Sequence, residues 1–233
     1  MAYTGTKRPR NSLLAALPSE SFALLASHLQ AVDLPRRMSV EVPNRKITHI
    51  YFPETGIASI VASSADRAQV EVGIVGREGM TGVAVAHGSD RSPYSVYMQV
   101  EGAGHRIEVA VLREAMANGG RSIFLAFAQS LLLQVSETAV ANARATINER
   151  LARWLLMVRD RVDSDEIPLT HEFLAMMMGA RRPGVTEAIH ELARRGLIAG
   201  ARGKIEILDR RGLEEIAGRY YGVPERELKR LLG

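Results

Sequence analysis

The sequence predicts an α+β chain: an N-terminal antiparallel β-roll of jelly-roll type, one long helix suited to dimerisation, and a C-terminal winged helix-turn-helix. Three observations predict it. Short alternating runs punctuated by turn residues fill 33–110, a stretch with neither Gly nor Pro runs from 121 to 167, and a glycine-centred pair of helical patterns followed by two short strands occupies 169–209. Each implies a different period of burial, and so a different element.

The chain opens with a helical pattern after Pro18-Ser19, where Phe22, Leu25 and Leu29 fall on one stripe. The β-like runs are broken at Pro43-Asn44, Glu54-Thr55-Gly56, Ser64-Ala65-Asp66, Gly88-Ser89-Asp90 and Glu101-Gly102-Ala103-Gly104. Two alternate clearly. Val70, Val72 and Ile74 are expected to face inward with Gln69, Glu71 and Gly73 on the wetter face, and Tyr94, Val96, Met98 and Val100 inward with Ser95, Tyr97 and Gln99 outward. The Gly73, Gly76, Gly79, Gly82 series fits neither a dinucleotide fingerprint nor a P-loop and reads as turns of the roll.

The Gly- and Pro-free stretch is rich in Ala, Leu, Gln, Glu and Arg, and a helix of about 25 residues would span roughly 37 Å, more than one small domain needs. Thr146-Ile147-Asn148-Glu149 fits a capping box, so a second helix begins at Ile147 after a hinge at 144–146. The acidic run Asp163-Ser164-Asp165-Glu166 with Pro168 ends it.

Counted from His171 as the first position, the fifth is Ala175, the ninth Gly179 and the fifteenth Val185. A helix-turn-helix needs a small residue where its helices cross, a residue tolerant of a left-handed turn, and an apolar residue facing the first helix. Thr170 is placed to cap the first helix and meet a phosphate, and Pro183 suits the first turn of the second. Val185, Ala188, Ile189 and Leu192 face inward, leaving Arg181, Arg182, Thr186, Glu187 and His190 to reach a major groove. Arg182 suits guanine and Glu187 cytosine. The strands around Ala199–Gly203 form a wing with Arg202 and Lys204 at its tip, positioned for phosphates.

The whole chain has 30 Lys and Arg against 26 Asp and Glu, a net charge of +4. The segment 181–211 alone holds eight basic and four acidic residues, so the excess sits on the helix-turn-helix and wing, where a polyanion would bind. With no cysteine among 233 residues, disulfides, thiolate catalysis and Cys-held iron–sulfur clusters are excluded. No paired carboxylates or nucleophile motif suggests an enzyme. The apolar run before Pro18 is too short for a signal peptide, and no stretch reads as a membrane span, so a cytoplasmic protein without membrane contact is expected.

The block 169–209, with Gly179, Arg182-Pro183-Gly184-Val185-Thr186, Arg195-Gly196-Leu197-Ile198 and Gly203-Lys204-Ile205, resembles the Crp/Fnr family of bacterial transcription regulators. The order of the other parts is similar over nearly the whole chain. The resemblance implies a homodimer on a two-fold symmetric site in double-stranded DNA, RNA polymerase as a further partner of an activator, and an effector in the β-roll. Thr81, Arg91, Ser92 and Ser136 stand at positions that the resemblance marks for the effector. The sequence departs from the cyclic-nucleotide-binding members. Met80 and Thr81 replace their Gly-Glu pair, and Pro93 removes an amide donor after Arg91-Ser92, which argues against a cyclic nucleotide and leaves the effector unknown.

The expected domains are 1–118, helix and β-roll sensor; 119–145, long dimerisation helix; and 146–233, winged helix-turn-helix. The expected function is sequence-specific transcription regulation. The rival is a small-molecule-binding module whose winged helix mediates protein contacts.

Overall fold

The computed structural model describes residues 8–65, 68–169, 171–201 and 203–233. The chain gathers into two compact units, one of Met1–Ile60, Gly73–Leu132 and Pro224–Gly233, the other of Val61–Val72 and Leu133–Val223.

In the first unit, α1 (Ser12–Ala16) is started by Asn11, whose side chain accepts from the Leu13 and Leu14 amides. Its Nδ2 donates to the carbonyls of Pro53 at 2.9 Å and Gly79 at 2.7 Å, so one buried side chain joins the first helix to two distant segments. The expected lead-in helix is α2 (Ser19–Ala26), with Leu25 and Leu29 in the core and Phe22 packed beside them.

Next come β1 (Gln30–Leu34), β2 (Ser39–Glu41), β3 (His49–Pro53), β4 (Ile57–Ser63), β5 (Gln69–Val75), the short α3 (Val83–Ala86), β6 (Ser95–Val100) and β7 (Gly102–Glu108). They form a three-stranded sheet in the order β1-β7-β3 and a four-stranded sheet in the order β2-β6-β4-β5. In the first, β7 pairs antiparallel with both neighbours, with Ile107 opposite Ile50 and His105 opposite Phe52. The core holds Leu13, Leu17, Phe52, Met98, Phe124 and Phe127, with the Phe52 and Phe124 rings 6.4 Å apart. Gly79 is required here because a Cβ on it would enter the Phe127 ring.

The expected strand faces need correction at four residues, one of them Gly73, which is buried. Glu71 is 5% exposed and Gln99 2%, whereas Tyr94 is 43% exposed. Alternation predicts wet faces only when one side of a sheet meets solvent. Here each buried polar group has a specific donor to accept from: Gln99 Oε1 accepts from Ser59 Oγ at 2.5 Å, and Glu71 Oε1 from the Trp154 indole at 2.7 Å. Tyr94 lies just outside β6, where no register fixes its direction.

After β7, α4 (Val109–Ala115) leads to a break at Asn118 and Gly119, whose φ values are −103° and 93°. Ser21 Oγ donates to the Asn118 carbonyl at 2.8 Å. The long helix α5 (Arg121–Arg144) follows with 24 residues, about 36 Å. By length and composition alone the stretch Val109–Arg144 is apolar enough to cross a membrane, a test that core helices also pass, and the break at Asn118 and Gly119 divides it.

The second unit contains α6 (Ile147–Arg159), β8 (Glu166–Pro168), α7 (His171–Met177), α8 (Arg182–Arg194), β9 (Ile198–Ala201), β10 (Lys204–Ile207) and α9 (Arg210–Ala217). The last helix, α10 (Val223–Leu232), buries Leu228 in the core of the first unit, and Ser130 Oγ donates to the Pro224 carbonyl at 3.0 Å.

Replacing Asn11 removes a helix cap and leaves two buried carbonyls without their donor. Asn11→Ala is expected to cost about 2–4 kcal/mol, read as a lowered urea midpoint; a loss below about 0.5 kcal/mol would contradict the assigned role.

Candidate nucleic-acid interface

The interface begins at α6, whose start is fixed by the expected capping box. The Thr146 amide donates to Glu149 Oε2 at 2.6 Å, and the Glu149 amide donates to Thr146 Oγ1 at 3.3 Å. Helix α5 stops at Arg144, so the hinge lies at Ala145 and Thr146. Arg153 is buried on α6, where its Nε donates to the Tyr220 carbonyl at 2.8 Å and its Nη2 to Thr138 Oγ1 at 3.1 Å. The second half of α5, α6 and the turn after α9 are thus held by one guanidinium. Sequence reasoning missed it, because arginine in a helical run carries no mark of burial.

The turn between α7 and α8 is made by Gly179, at φ +55°. The Ala180 amide donates to the Ala175 carbonyl at 2.9 Å, closing the turn over the small residue the spacing required. Val185, Ala188, Ile189 and Leu192 are all buried on the inner face of α8. On the outer face Arg181, Arg182, Glu187 and His190 are exposed and Thr186 is half-buried. Arg181 occupies the extended N-cap position and Pro183 the first turn.

The wing is a three-stranded sheet in the order β8-β10-β9, one strand more than the sequence suggested. The extra strand follows the acidic run, with Ile167 opposite Ile205 and Pro168 opposite Lys204. Three residues ending in Pro are too few to show a period, but Pro is tolerated at the end of an edge strand. Lys204 Nζ lies 2.7 Å from Glu166 Oε1, which raises the Lys204 pKa, chiefly through the hydrogen bond. Thr170 and Arg202 lie outside the described residues.

Most cations near the interface are neutralised. Arg194 and Arg195 both pair with Glu191, holding its carboxyl below its ordinary value, first through the Arg195 hydrogen bond. Arg210 lies 2.8 Å from Asp160 and 2.9 Å from Glu214, and Arg211 3.6 Å from Glu215. Among the described residues, Arg181 and Arg182 have no such partner. Two free guanidinium groups therefore stand at the N-terminal end of α8, where helix amides also favour an anion.

The effector candidates are more scattered. Thr81 is buried and committed to Tyr51: its amide donates to the Tyr51 carbonyl at 2.9 Å and its Oγ1 accepts from the Tyr51 amide at 3.1 Å. Arg91 is exposed and 3.5 Å from Asp90. Ser92 Oγ accepts from the Tyr94 amide at 3.2 Å. Ser136 is exposed on α5. Beside Thr81, the Glu41 carboxyl accepts from the Gly82 amide at 2.7 Å, and burial pushes its pKa up despite that bond. Among the described residues, no three His, Asp or Glu side chains gather as a metal site.

Residues 149–216 match the family model for the Crp-like helix-turn-helix domain. A transcriptional regulator, SdrP, from Thermus thermophilus is 50% identical over 48 residues, covering 21% of this chain and 24% of that protein. The match therefore spans about a quarter of the curated relative's length. FixK2 from Bradyrhizobium japonicum has a similar structure, with a TM-score of 0.70 at 14% identity over 82% of this chain and 98% of that one. Residues 149–216 are thus similar to a Crp-like helix-turn-helix domain, and the chain has a fold like that of FixK2. A CRP/FNR-family transcriptional regulator from Thermus thermophilus also has a similar structure, with a TM-score of 0.61 at 20% identity over 81% of this chain and 98% of that one.

Glu41 gives a pH test. Its folded-state pKa is raised, so the stability it contributes is greatest when protonated and is lost as pH rises through the folded value. Glu41→Gln keeps an oxygen for the Gly82 amide without the charge. The variant is expected to be more stable than the parent at neutral pH and nearly equal to it below the ordinary value of 4.5, by urea unfolding; lower stability at neutral pH would contradict the burial argument.

Proposed function

We propose that this chain is a cytoplasmic, sequence-specific transcription regulator that binds double-stranded DNA as a homodimer. The observation that carries the reading is the pair of unneutralised arginines, Arg181 and Arg182, at the exposed start of α8 on a Crp-like helix-turn-helix. A protein-contact wing has no need of free cations there. A duplex does, since phosphates attract them and guanine offers two acceptors to one guanidinium. In this reading Arg182, Thr186, Glu187 and His190 face the bases, while Thr170, Arg181, Arg202 and Lys204 meet the backbone. The Lys204–Glu166 pair is exposed, so a phosphate can replace Glu166 at little cost.

The homodimer is supported by the outer face of α5. Leu125, Gln129, Leu132, Ser136, Ala139 and Ala143 are spaced alternately four and three residues apart, the seam of a two-stranded coiled coil. Leu132 is 58% exposed in the single chain and Val140 48%. One face of α5 is apolar for the core and the other for a second copy, which accounts for its membrane-like composition. The segment 1–118 then serves as sensor, 119–145 as dimer helix and 146–233 as DNA-binding region. Thr81, Arg91, Ser92 and Ser136 remain the residues proposed for an effector, and RNA polymerase is a partner if the protein activates.

Selection from random duplex DNA by the purified protein without added ligand tests the reading. An enriched two-fold symmetric site is expected, with affinity falling steeply as salt rises; retention without enrichment and without salt dependence would support the protein-contact rival. Leu132→Glu, which places like charges across the seam, is expected to sediment as a monomer and to lose the symmetric site.

A further inference from the structure

We propose that Arg153 sets the half-site spacing that this protein accepts, by fixing the angle between the end of α5 and α6; the proposal rests on the homodimeric DNA binding proposed above. Every contact it uses lies within the segment Leu133–Val223 of one compact unit. Arg153 is 6% exposed on α6. Its Nε donates to the Tyr220 carbonyl at 2.8 Å, and its Nη2 donates across the hinge to Thr138 Oγ1 at 3.1 Å and to the Gln134 carbonyl at 3.4 Å. The Thr138 hydroxyl gives its own proton to the Gln134 carbonyl at 2.7 Å, so its oxygen meets the guanidinium as an acceptor. Gln134, Thr138 and the buried Ala141 share one stripe of α5, while Ser136, Ala139, Val140 and Ala143 are exposed on the other side, where the second copy is placed.

A guanidinium is planar, with its N–H groups in a fixed fork. Bonds from Nε and Nη2 to acceptors on two different elements therefore hold direction as well as distance, whereas apolar packing across the hinge tolerates rotation. Beyond Arg153 the same unit leads to the recognition helix: a Cβ on Gly184, in the first turn of α8, would stand 3.5 Å from Ile147 Cδ1 on α6. The exposed side of α5, its inner stripe, Arg153, α6 and α8 thus form one contiguous series in each copy. In a dimer, rotation at the hinge moves the two α8 helices apart or out of phase on the duplex. One added base pair displaces a half-site by about 3.4 Å along the axis and about 35° around it. A clamp that resists rotation makes the protein selective for one spacer length.

The test uses the full chain with Arg153→Met, which keeps the stem without the fork, Thr138→Val, which keeps shape without the acceptor, and Thr138→Ser, which keeps the acceptor. Affinity is measured on duplexes carrying the selected half-sites with the spacer lengthened or shortened by one base pair, and hydrogen exchange over 144–150 is read without DNA. The parent is expected to lose about tenfold in affinity on either change. Arg153→Met and Thr138→Val are expected to lose less than about threefold, and Thr138→Ser to follow the parent. Exchange over 144–150 is expected to rise about tenfold in Arg153→Met and to rise in Thr138→Val, with the wing peptide 204–207 unchanged. A spacer preference kept by both Arg153→Met and Thr138→Val, or an affinity loss equal on every spacer, overturns the positioning role; Thr138→Val decides the outcome if Arg153→Met fails to fold. If the parent selects no symmetric duplex, the DNA reading falls, while the clamp on the hinge stands on faster exchange in Arg153→Met and Thr138→Val and falls without it.

Discussion

The left-handed turn at Gly179 is the constraint on which the interface depends. With φ at +55°, the chain reverses tightly enough for the Ala180 amide to reach the Ala175 carbonyl, and α8 crosses α7 at a small residue. Burying Val185, Ala188, Ile189 and Leu192 then fixes the rotation of α8 about its own axis. Arg181, Arg182, Glu187 and His190 face outward as a result of that rotation rather than by any contact of their own. A side chain at position 179 would meet both an unfavourable backbone conformation and Val70.

Charge arrangement then separates scaffold from site. Glu191 holds Arg194 and Arg195, and Asp160 and Glu214 hold Arg210, so the basic excess of the segment is mostly spent within the unit. Exposed pairs of this kind contribute little stability. Their effect is to leave the start of α8 as the place where positive charge remains available. The buried Arg153, by contrast, bonds to Tyr220 and Thr138 and ties elements together, although its sequence context looks no different.

Features governed by local physics were legible in the sequence. The Thr146–Glu149 box, the Ala175–Gly179–Val185 spacing, the Gly-bearing wing and the long helix each involve residues a few positions apart, and each is found where the pattern put it. What was not legible depends on distant partners. Glu71 reads as a solvent-facing residue until Trp154, 83 positions away, supplies its donor. Strand β8 is too short to show a period and is recognised only by its pairing with β10. The amphipathic pattern of α10 says that it docks, but not that Leu228 joins the core around Leu13 and Phe124. The effector positions show the same limit: the family resemblance marked Thr81, but its hydroxyl and amide are already used by Tyr51.

The most direct measurement of the central claim is methylation interference at guanine N7 on a selected duplex, which probes the groove edge that an arginine on α8 must read. The account predicts two windows of interference about 10 base pairs apart, in the major groove on one face of the duplex. It also predicts that one symmetric pair of guanines becomes insensitive in Arg182→Ala. A single window, or a pattern unchanged in Arg182→Ala, would contradict the placement of two α8 helices on a symmetric site.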